Sequence, residues 1–391
     1  MRFPEFSGEW KETKLEKIAE ITKGSGISKD RLSEYGSPCI LYGELYTKYK
    51  SEIINEVYSR TELDSSLLVK SKANDVIIPC SGETAIDIST ARCVPFNNIL
   101  LGGDLNIIRL KNNDGGFFAY QLNGTRKKDI ARVAQGVSVV HLYGENLKHI
   151  RVYHPAIEEQ KKITRLLSLI DKRIATQNKI IYKLKSLIRG IMVELQKRGL
   201  SNGTWKKVLL SNVLTERNEL NKSLYPVYSV SVIQGIVNQM EYLGRSFAAS
   251  DTSKYHVVHY GDLVYTKSPT GSFPYGIIKQ SYNQNEVAVS PLYGVYEPKT
   301  FSTGVFLHEY FKSELNTLNY LHPLVQKGAK NTINIANQRF LESYVAIPSN
   351  ANELLAISKL LCSLNTKLEF LQNILKQSQG QKQYLLRQMF I

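Results

Sequence analysis

The chain has 391 residues, 42% of them hydrophobic and 22% charged, with a formal net charge of +15 and a pI near 9.4. These proportions suit a folded protein of two or three domains, and the cationic excess favours an anionic partner, nucleic acid ahead of an acidic membrane surface. Four scattered cysteines, Cys39, Cys80, Cys93 and Cys362, form no CxxC pair, which argues against a zinc site or a disulfide framework and for reduced thiols in a cytoplasmic protein. No apolar run nears the ~18 residues that span a bilayer, and residues 1–6 lack the apolar stretch of a signal peptide.

In chain order, the first landmark is Trp10-Lys11-Glu12-Thr13-Lys14-Leu15. It is echoed by Trp205-Lys206-Lys207-Val208-Leu209-Leu210, and these are the chain's only two tryptophans. The echo cuts the chain almost in half. A buried strand is expected at 75–79, behind the turn residue Asp75, and its counterpart at 262–266, behind Asp262. Each runs into a loop of small residues, Ser81-Gly82-Glu83 or Ser268-Pro269-Thr270-Gly271. Second strands follow at 105–110 and 292–296, then short helices at 117–122 and 305–311. A glycine-led loop closes each part, Gly136-Val137-Ser138 or Gly328-Ala329-Lys330-Asn331. A last strand ends each half at a proline, Pro155 and Pro348. The interspersed strands and helices predict an α+β fold with two similar α/β domains, at 1–154 and 201–347.

After each proline the period changes. Ile163, Leu167, Ile170, Ile174, Gln177, Ile181, Leu184, Ile188, Ile191 and Leu195 alternate steps of four and three, an a/d seam with one polar slot at Gln177. Ile357, Leu361, Leu364, Leu368, Leu371 and Leu375 keep the same rhythm, which passes through Ser378 and Lys382 and resumes at Leu385 and Met389. Long helices are therefore expected at 155–200 and 348–391, with Gly199 placed to end the first. A seam of more than a dozen apolar residues, each contributing roughly 1.5–3 kcal/mol when buried, favours pairing of the two helices with each other. The second copy is offset by 194 residues at Ile163/Ile357 and by 198 at Leu187/Leu385. Such a four-residue slip is one that a coiled coil absorbs as a stutter.

If the pair is antiparallel, the two domains acquire a pseudo-twofold relation that matches the local twofold of a DNA duplex. A domain of this size is roughly 38 Å across, so two cannot be centred closer than about 11 base pairs. The molecule would then read two short sequences across an unread gap, with the helices as the ruler.

The phrase from Leu147 to Ile163, which contains Tyr153-His154-Pro155-Ala156-Ile157-Glu158-Glu159-Gln160, resembles the conserved-region signature of the specificity subunits of type I restriction–modification enzymes. There a strand and a proline lead to Glu-Gln, an isoleucine and a long helix. The alternation of domain, helix, domain and helix resembles that family over essentially the whole chain. The second copy, Pro348-Ser349-Asn350-Ala351-Asn352-Glu353-Leu354, lacks Glu-Gln. The resemblance implies a subunit without catalytic activity that reads a bipartite target in double-stranded DNA. It also implies docking of two adenine-N6 methyltransferase subunits and, through them, of restriction/translocase motor subunits. No cofactor is expected in this chain; S-adenosylmethionine, ATP and magnesium would belong to those partners.

The residues agree with a non-enzymatic reading. The sequence holds no GxxxxGK[ST] phosphate loop, no Asn/Asp-Pro-Pro-Tyr/Phe stretch and no HExxH spacing of histidines. Glu9-Trp10-Lys11 resembles a nuclease fragment but lies at the extreme N-terminus without a suitable upstream acid. Candidate phosphate contacts are Lys48 and Lys50, interleaved with Tyr46 and Tyr49, with Arg92, the Arg126-Lys127-Lys128 cluster, Lys267, Lys327 and Lys330. Candidate base readers, placed in loops, are Gln135, Ser138, Thr270 and Asn331, and Ser81 is a further DNA-contact candidate. The rival from another class is a coiled-coil scaffold that gathers proteins without reading DNA. A stand-alone methyltransferase or nuclease would need the motifs that are missing.

Overall fold

The computed structural model describes residues 2–327 and 333–390. It divides into two compact units, Met1–Lys179 with Asn373–Ile391, and Ile180–Gln372. The division falls inside both long helices. Each unit thus holds one globular domain, the start of the helix that follows it and the end of the other helix, whereas the sequence reading set each helix apart as a region of its own.

In the first unit β1 (Lys11–Lys14) pairs antiparallel with β6 (Arg151–His154), so the ends of the domain close on each other. Between them β2 (Ala19–Lys23), β3 (Asp75–Pro79), β4 (Arg92–Val94) and β5 (Leu105–Leu110) form one antiparallel sheet in the order β2-β5-β3-β4. Successive side chains of a strand point to opposite faces. Val76 and Ile78 accordingly enter the core that contains helix α1 (Gly115–Asn123), while Ile77 enters a separate core on the other face. Burial on both faces explains why β3 reads as an unbroken apolar run.

The second unit repeats the plan. Strand β7 (Trp205–Leu209) pairs with β12 (Tyr344–Pro348). The sheet of β8 (Leu214–Glu216), β9 (Leu263–Tyr265), β10 (Ile278–Gln280) and β11 (Gly294–Pro298) has the order β8-β11-β9-β10, the same permutation as in the first unit. Helix α3 (Phe301–Tyr310) follows the last strand, as α1 does. Antiparallel pairing throughout both central sheets makes the class α+β.

The turn before the central strand is built alike in both units. Asn74 (φ +82°) and Gly261 (φ +93°) adopt left-handed conformations, which an asparagine or a glycine accepts at least cost. The aspartate that follows turns its carboxylate back. Asp75 accepts from the Lys72 amide at 2.8 Å, and Asp262 accepts from the His259 amide at 2.9 Å. Each carboxylate also takes a two-pronged arginine. Arg109 on β5 donates to Asp75 at 2.9 and 2.8 Å, and Arg217, just after β8, donates to Asp262 at 2.8 and 3.2 Å. Both aspartates are buried structural ties, consistent with their reading as turn residues.

Helix α2 spans Ile157–Ser201 and α4 spans Ala351–Met389. In the first unit Ile163, Leu167 and Ile170 share a core with Leu385, Leu386, Met389 and Phe390. Lys382 meets Asp171, while the Phe390 ring packs at a tilt against Phe117. In the second unit Leu184 and Ile188 share a core with Ile357 and Leu361, and Glu353 at the start of α4 binds Trp205, whose indole covers Gly199 near the end of α2. In each unit, then, the start of one long helix lies against the end of the other, the antiparallel arrangement. Of the remaining seam positions Ile181 is buried, and Ile174, Leu364, Leu368, Leu371 and Leu375 are half-buried.

Two details depart from expectation, at Ile191 and at Gly199. Met192 is buried and Ile191 only half-buried, the drift that 3.6 residues per turn builds up against a strict 3.5-residue repeat. The polar slot is filled by Gln177, whose amide oxygen is buried without a partner. Gly199 does not end α2. It is small because an added Cβ would lie 2.2 Å from the Trp205 ring, and the helix stops ahead of Gly203 (φ +69°) instead. All four cysteines are free, and burial pushes the Cys39 and Cys80 thiols up to about 11 and Cys93 to about 12, out of the reactive range.

Candidate nucleic-acid interface

The glycine-led loop of the first unit is the tip of a small hairpin. The Gln135 amide donates to the His141 carbonyl at 2.9 Å, and the return bond measures 2.7 Å. Val140 and His141 then pair with Gly82 and Ser81. Gly136 turns the chain at φ +120°, where a Cβ would strike the Val139 carbonyl oxygen at 2.1 Å, so only glycine fits. The tip presents Ser138 and Val137, which is 99% exposed. Gln135 and Ser138 are exposed; Ser81 is half-buried on the opposing strand.

The basic residues of this unit separate into three groups. Lys48 is spent locally on Glu44 (2.6 Å) and the Ser59 hydroxyl (3.0 Å). Arg126 pairs with Asp129 at 3.4 Å and lies 5.0 Å above the Tyr153 ring, while Lys128 is exposed. The third group, Lys50, Arg92 and Lys127, is brought to one cleft of about 380 Å³, also lined by Thr90, Asn123, Gly124, Thr125 and, from the end of α4, Gln383, Leu386 and Arg387. Its acid, Glu52, is taken by Lys382 at 2.6 Å. Arg92 departs from the role expected of it. It is only 8% exposed and donates to the Leu45, Tyr49 and Ala91 carbonyls, because its position on the short buried strand β4 points it into the domain. Burial, with the Arg92 charge beside it, holds the Lys127 ammonium below its ordinary range.

In the second unit Lys267 adopts φ +61°, and Gly276 packs against its backbone too closely to admit a Cβ. Burial lowers its ammonium as well. Thr270 and Phe273 exchange amide bonds of 3.0 Å across a tight turn at Gly271, and the Thr270 hydroxyl donates to the Ser268 carbonyl at 3.1 Å. Lys327 lies on the strand Gln326–Lys327, which pairs with Ile333–Asn334. Lys330 and Asn331 lie outside the described residues. A paired hairpin thus stands at the corresponding place in both units.

The Glu-Gln phrase has a structural meaning. Glu159 accepts a two-pronged bond from Arg2 at 2.8 and 2.7 Å. The Gln160 side chain accepts from the Asp114 amide at 2.9 Å and donates to Asn113 and Pro155, tying α2 to the head of α1. The Asp114 carboxylate caps α1 at the Phe117 amide and accepts from the Thr164 hydroxyl at 2.6 Å. The phrase therefore clamps the long helix onto its domain.

Residues 7–186 match the family model described as the type I restriction modification DNA specificity domain. By sequence, that first part of the chain, 180 of 391 residues, carries the likeness to the type I restriction–modification specificity family. The fold of the whole chain is similar to that of the type I restriction–modification system S subunit from M. genitalium, with a TM-score of 0.65, 14% identity, and coverage of 100% of this chain and 99% of that one. A looser likeness, TM-score 0.40 at 13% identity over 100% and 98% of the two chains, is to the HsdS subunit from Thermoanaerobacter tengcongensis. The family's role is recognition of a DNA target, and its specificity subunits are in general not catalytic.

The sequence reading missed Gln383 and Arg387, which join the cationic cleft from the end of α4. The one available signal was Leu385-Leu386-Arg387, matched to Leu187-Ile188-Arg189 but read only as helix seam. Among the described residues no group of three or more His, Cys, Asp and Glu is placed to hold a metal ion. None of the described helices is long and apolar enough to cross a membrane.

Proposed function

We propose that this chain is the specificity subunit of a type I complex that reads a bipartite DNA target, one short sequence per globular domain, across a gap set by the two long helices. The observation that carries this reading is the repeated strand order, β2-β5-β3-β4 and β8-β11-β9-β10, in two domains each clamped to the start of its own long helix. Two surfaces of one plan suit two half-sites of one target. The exposed Gln135 and Ser138 of the hairpin serve as base readers, and Lys50, Lys127 and Lys128 as backbone contacts that set position without choosing sequence. Two methyltransferase subunits dock along the helices, and the restriction/translocase subunits join through them. S-adenosylmethionine, ATP and magnesium act on those partners.

Replacing residues 201–345 with the second domain of another specificity subunit should change one half of the methylated motif and leave the other intact. Methylome sequencing of a host with each version reads this directly, and a change in both halves defeats the proposal. Lengthening both helices by whole turns should widen the gap with both half-sequences kept. For the purified chain, a steep fall of duplex affinity with salt is expected, about 0.9 in log–log slope per phosphate contacted. A shallow slope would favour the protein scaffold.

A further inference from the structure

The cleft beside the end of α4 gathers features that scattered surface lysines do not share. Its volume of about 380 Å³ lies within the range of small-molecule sites. Four cationic side chains line it, Lys50, Arg92, Lys127 and Arg387, and none of them is in an ion pair among the described residues. The carboxylate in its wall, Glu52, shares Lys382 with Asp171, so the trio leaves one negative charge against four positive ones. Lys127 has only a long bond of 3.4 Å to the Thr90 hydroxyl, and Lys50 donates to the Thr47 carbonyl at 2.9 Å. The Thr125 hydroxyl oxygen is buried without a hydrogen-bond partner. Positive charges gathered in a half-enclosed space repel one another unless an anion joins them, and an unpartnered buried hydroxyl carries a cost. Several donors converging on one space suit a tetrahedral anion with many acceptor oxygens better than a single carboxylate.

We propose that this cleft binds a phosphoryl group, with Lys127 and Arg387 as its principal holders and the Thr125 hydroxyl donating to it. Arg92 acts behind them as a fixed charge, since its guanidinium is tied to three carbonyls. The phosphoryl group comes either from a free nucleoside phosphate or from the backbone of bound DNA. Only the second source rests on the function proposed above. Because Arg387 lies on α4 and Lys127 on the globular domain, occupancy would tie the end of that helix to the first domain.

The test uses the full chain and pyrophosphate as probe, in chloride buffer of matched ionic strength. Thermal unfolding should rise in temperature with pyrophosphate. Lys127→Gln and Arg387→Gln should each weaken pyrophosphate binding by about tenfold in titration calorimetry. Arg173→Gln, an exposed change elsewhere on α2, should not. The same variants are then titrated with duplex DNA. A lower salt slope, with pyrophosphate competing against the duplex, assigns the site to DNA backbone. An unchanged slope with lost pyrophosphate binding assigns it to a free phosphate. No pyrophosphate binding by the wild type together with an unchanged DNA slope in both variants overturns the proposal. So does pyrophosphate binding that survives both substitutions. If the wild type binds no DNA yet binds pyrophosphate through these residues, the cleft stands and the specificity reading falls.

Discussion

Where the first unit holds the half-buried Lys382 among Glu52, Asp171 and Tyr120, the second unit buries Leu184, the residue 198 positions earlier in the matching helix. The surrounding slots correspond closely. Three residues of α2 have partners 194 positions on in α4, and each pair does a related job. Glu159 holds Arg2, and Glu353 accepts the Trp205 indole at 2.8 Å. Thr164 binds Asp114 at the head of α1, and Ser358 binds Ser302 in α3 at 2.9 Å. Asp171 accepts the Tyr120 hydroxyl at 2.6 Å, and Asn365 donates to Glu309 at 2.7 Å. The start of each long helix is therefore attached to its own domain by one scheme. The end of the opposite helix is attached by two, a half-buried ammonium in the first unit and a leucine in the second. In the second unit the ammonium comes from the domain itself, as Lys312 on Glu309. A buried ion pair is weak evidence for stability but admits few alternative registers. The first unit thus specifies where α4 must end, while the second leaves the end of α2 to apolar packing, which tolerates the slip to Met192.

The largest expected effect comes from removing that ammonium. Lys382→Leu leaves two carboxylates buried without their counter-charge and should cost about 3–5 kcal/mol in urea unfolding of the first unit. Adding Glu52→Gln and Asp171→Asn should restore most of it. Equal stability of Lys382→Leu and wild type would show that the network is dispensable. Its pH dependence follows from Asp171, which burial and the nearby Glu52 push up to about 6. A carboxyl that holds its proton more tightly in the fold than when unfolded loses stabilising contribution as pH rises from about 4 to about 6, with no further change above. Asp171→Asn should abolish that slope. The Lys382 ammonium is held above its ordinary range by the two carboxylates against the effect of burial, so its contribution persists through neutral pH and is lost only at alkaline pH.

Next in size are the arginine ties of the repeated turn. Arg109→Met and Arg217→Met each strand a buried aspartate and should cost about 2–4 kcal/mol. Similar losses in both would confirm that the turn matters and not the strand supplying the arginine. The effect of Gly199→Ala should be smaller, roughly 1–3 kcal/mol, since the new methyl group meets the Trp205 ring. Gly190→Ala should act in the opposite sense. Nothing lies within 4 Å of an added Cβ there, so about 0.5–1 kcal/mol should be gained. A gain at Gly199 or a loss at Gly190 would mean that the end of α2 is packed differently from this description.

Much of the architecture could be read from local pattern. Strand Asp75–Pro79, strand Leu105–Leu110 and both long helices follow from continuous or periodic burial, a property of adjacent residues. Strands such as Ala19–Lys23 and Leu214–Glu216 carry no such signature, because they sit at the sheet edge with mixed exposure. The candidate interface was less legible. Lys50 and Lys127 reached a common cleft, but Arg92 went inward, since a short basic segment does not disclose which face its strand turns to the core. Arg387 was hidden by distance along the chain.

The sequence alone determined the duplication, the α+β class and the change of period at each proline, for these are recorded in the spacing of apolar residues along one chain. Tertiary structure alone decided that Glu353 stands in for the first half of a signature that the second copy was thought to lack, and that Lys382 ends up beside Asp171. Both depend on which distant surfaces come within hydrogen-bonding distance, and a pairwise interaction of that kind leaves no periodic trace in either partner's neighbourhood.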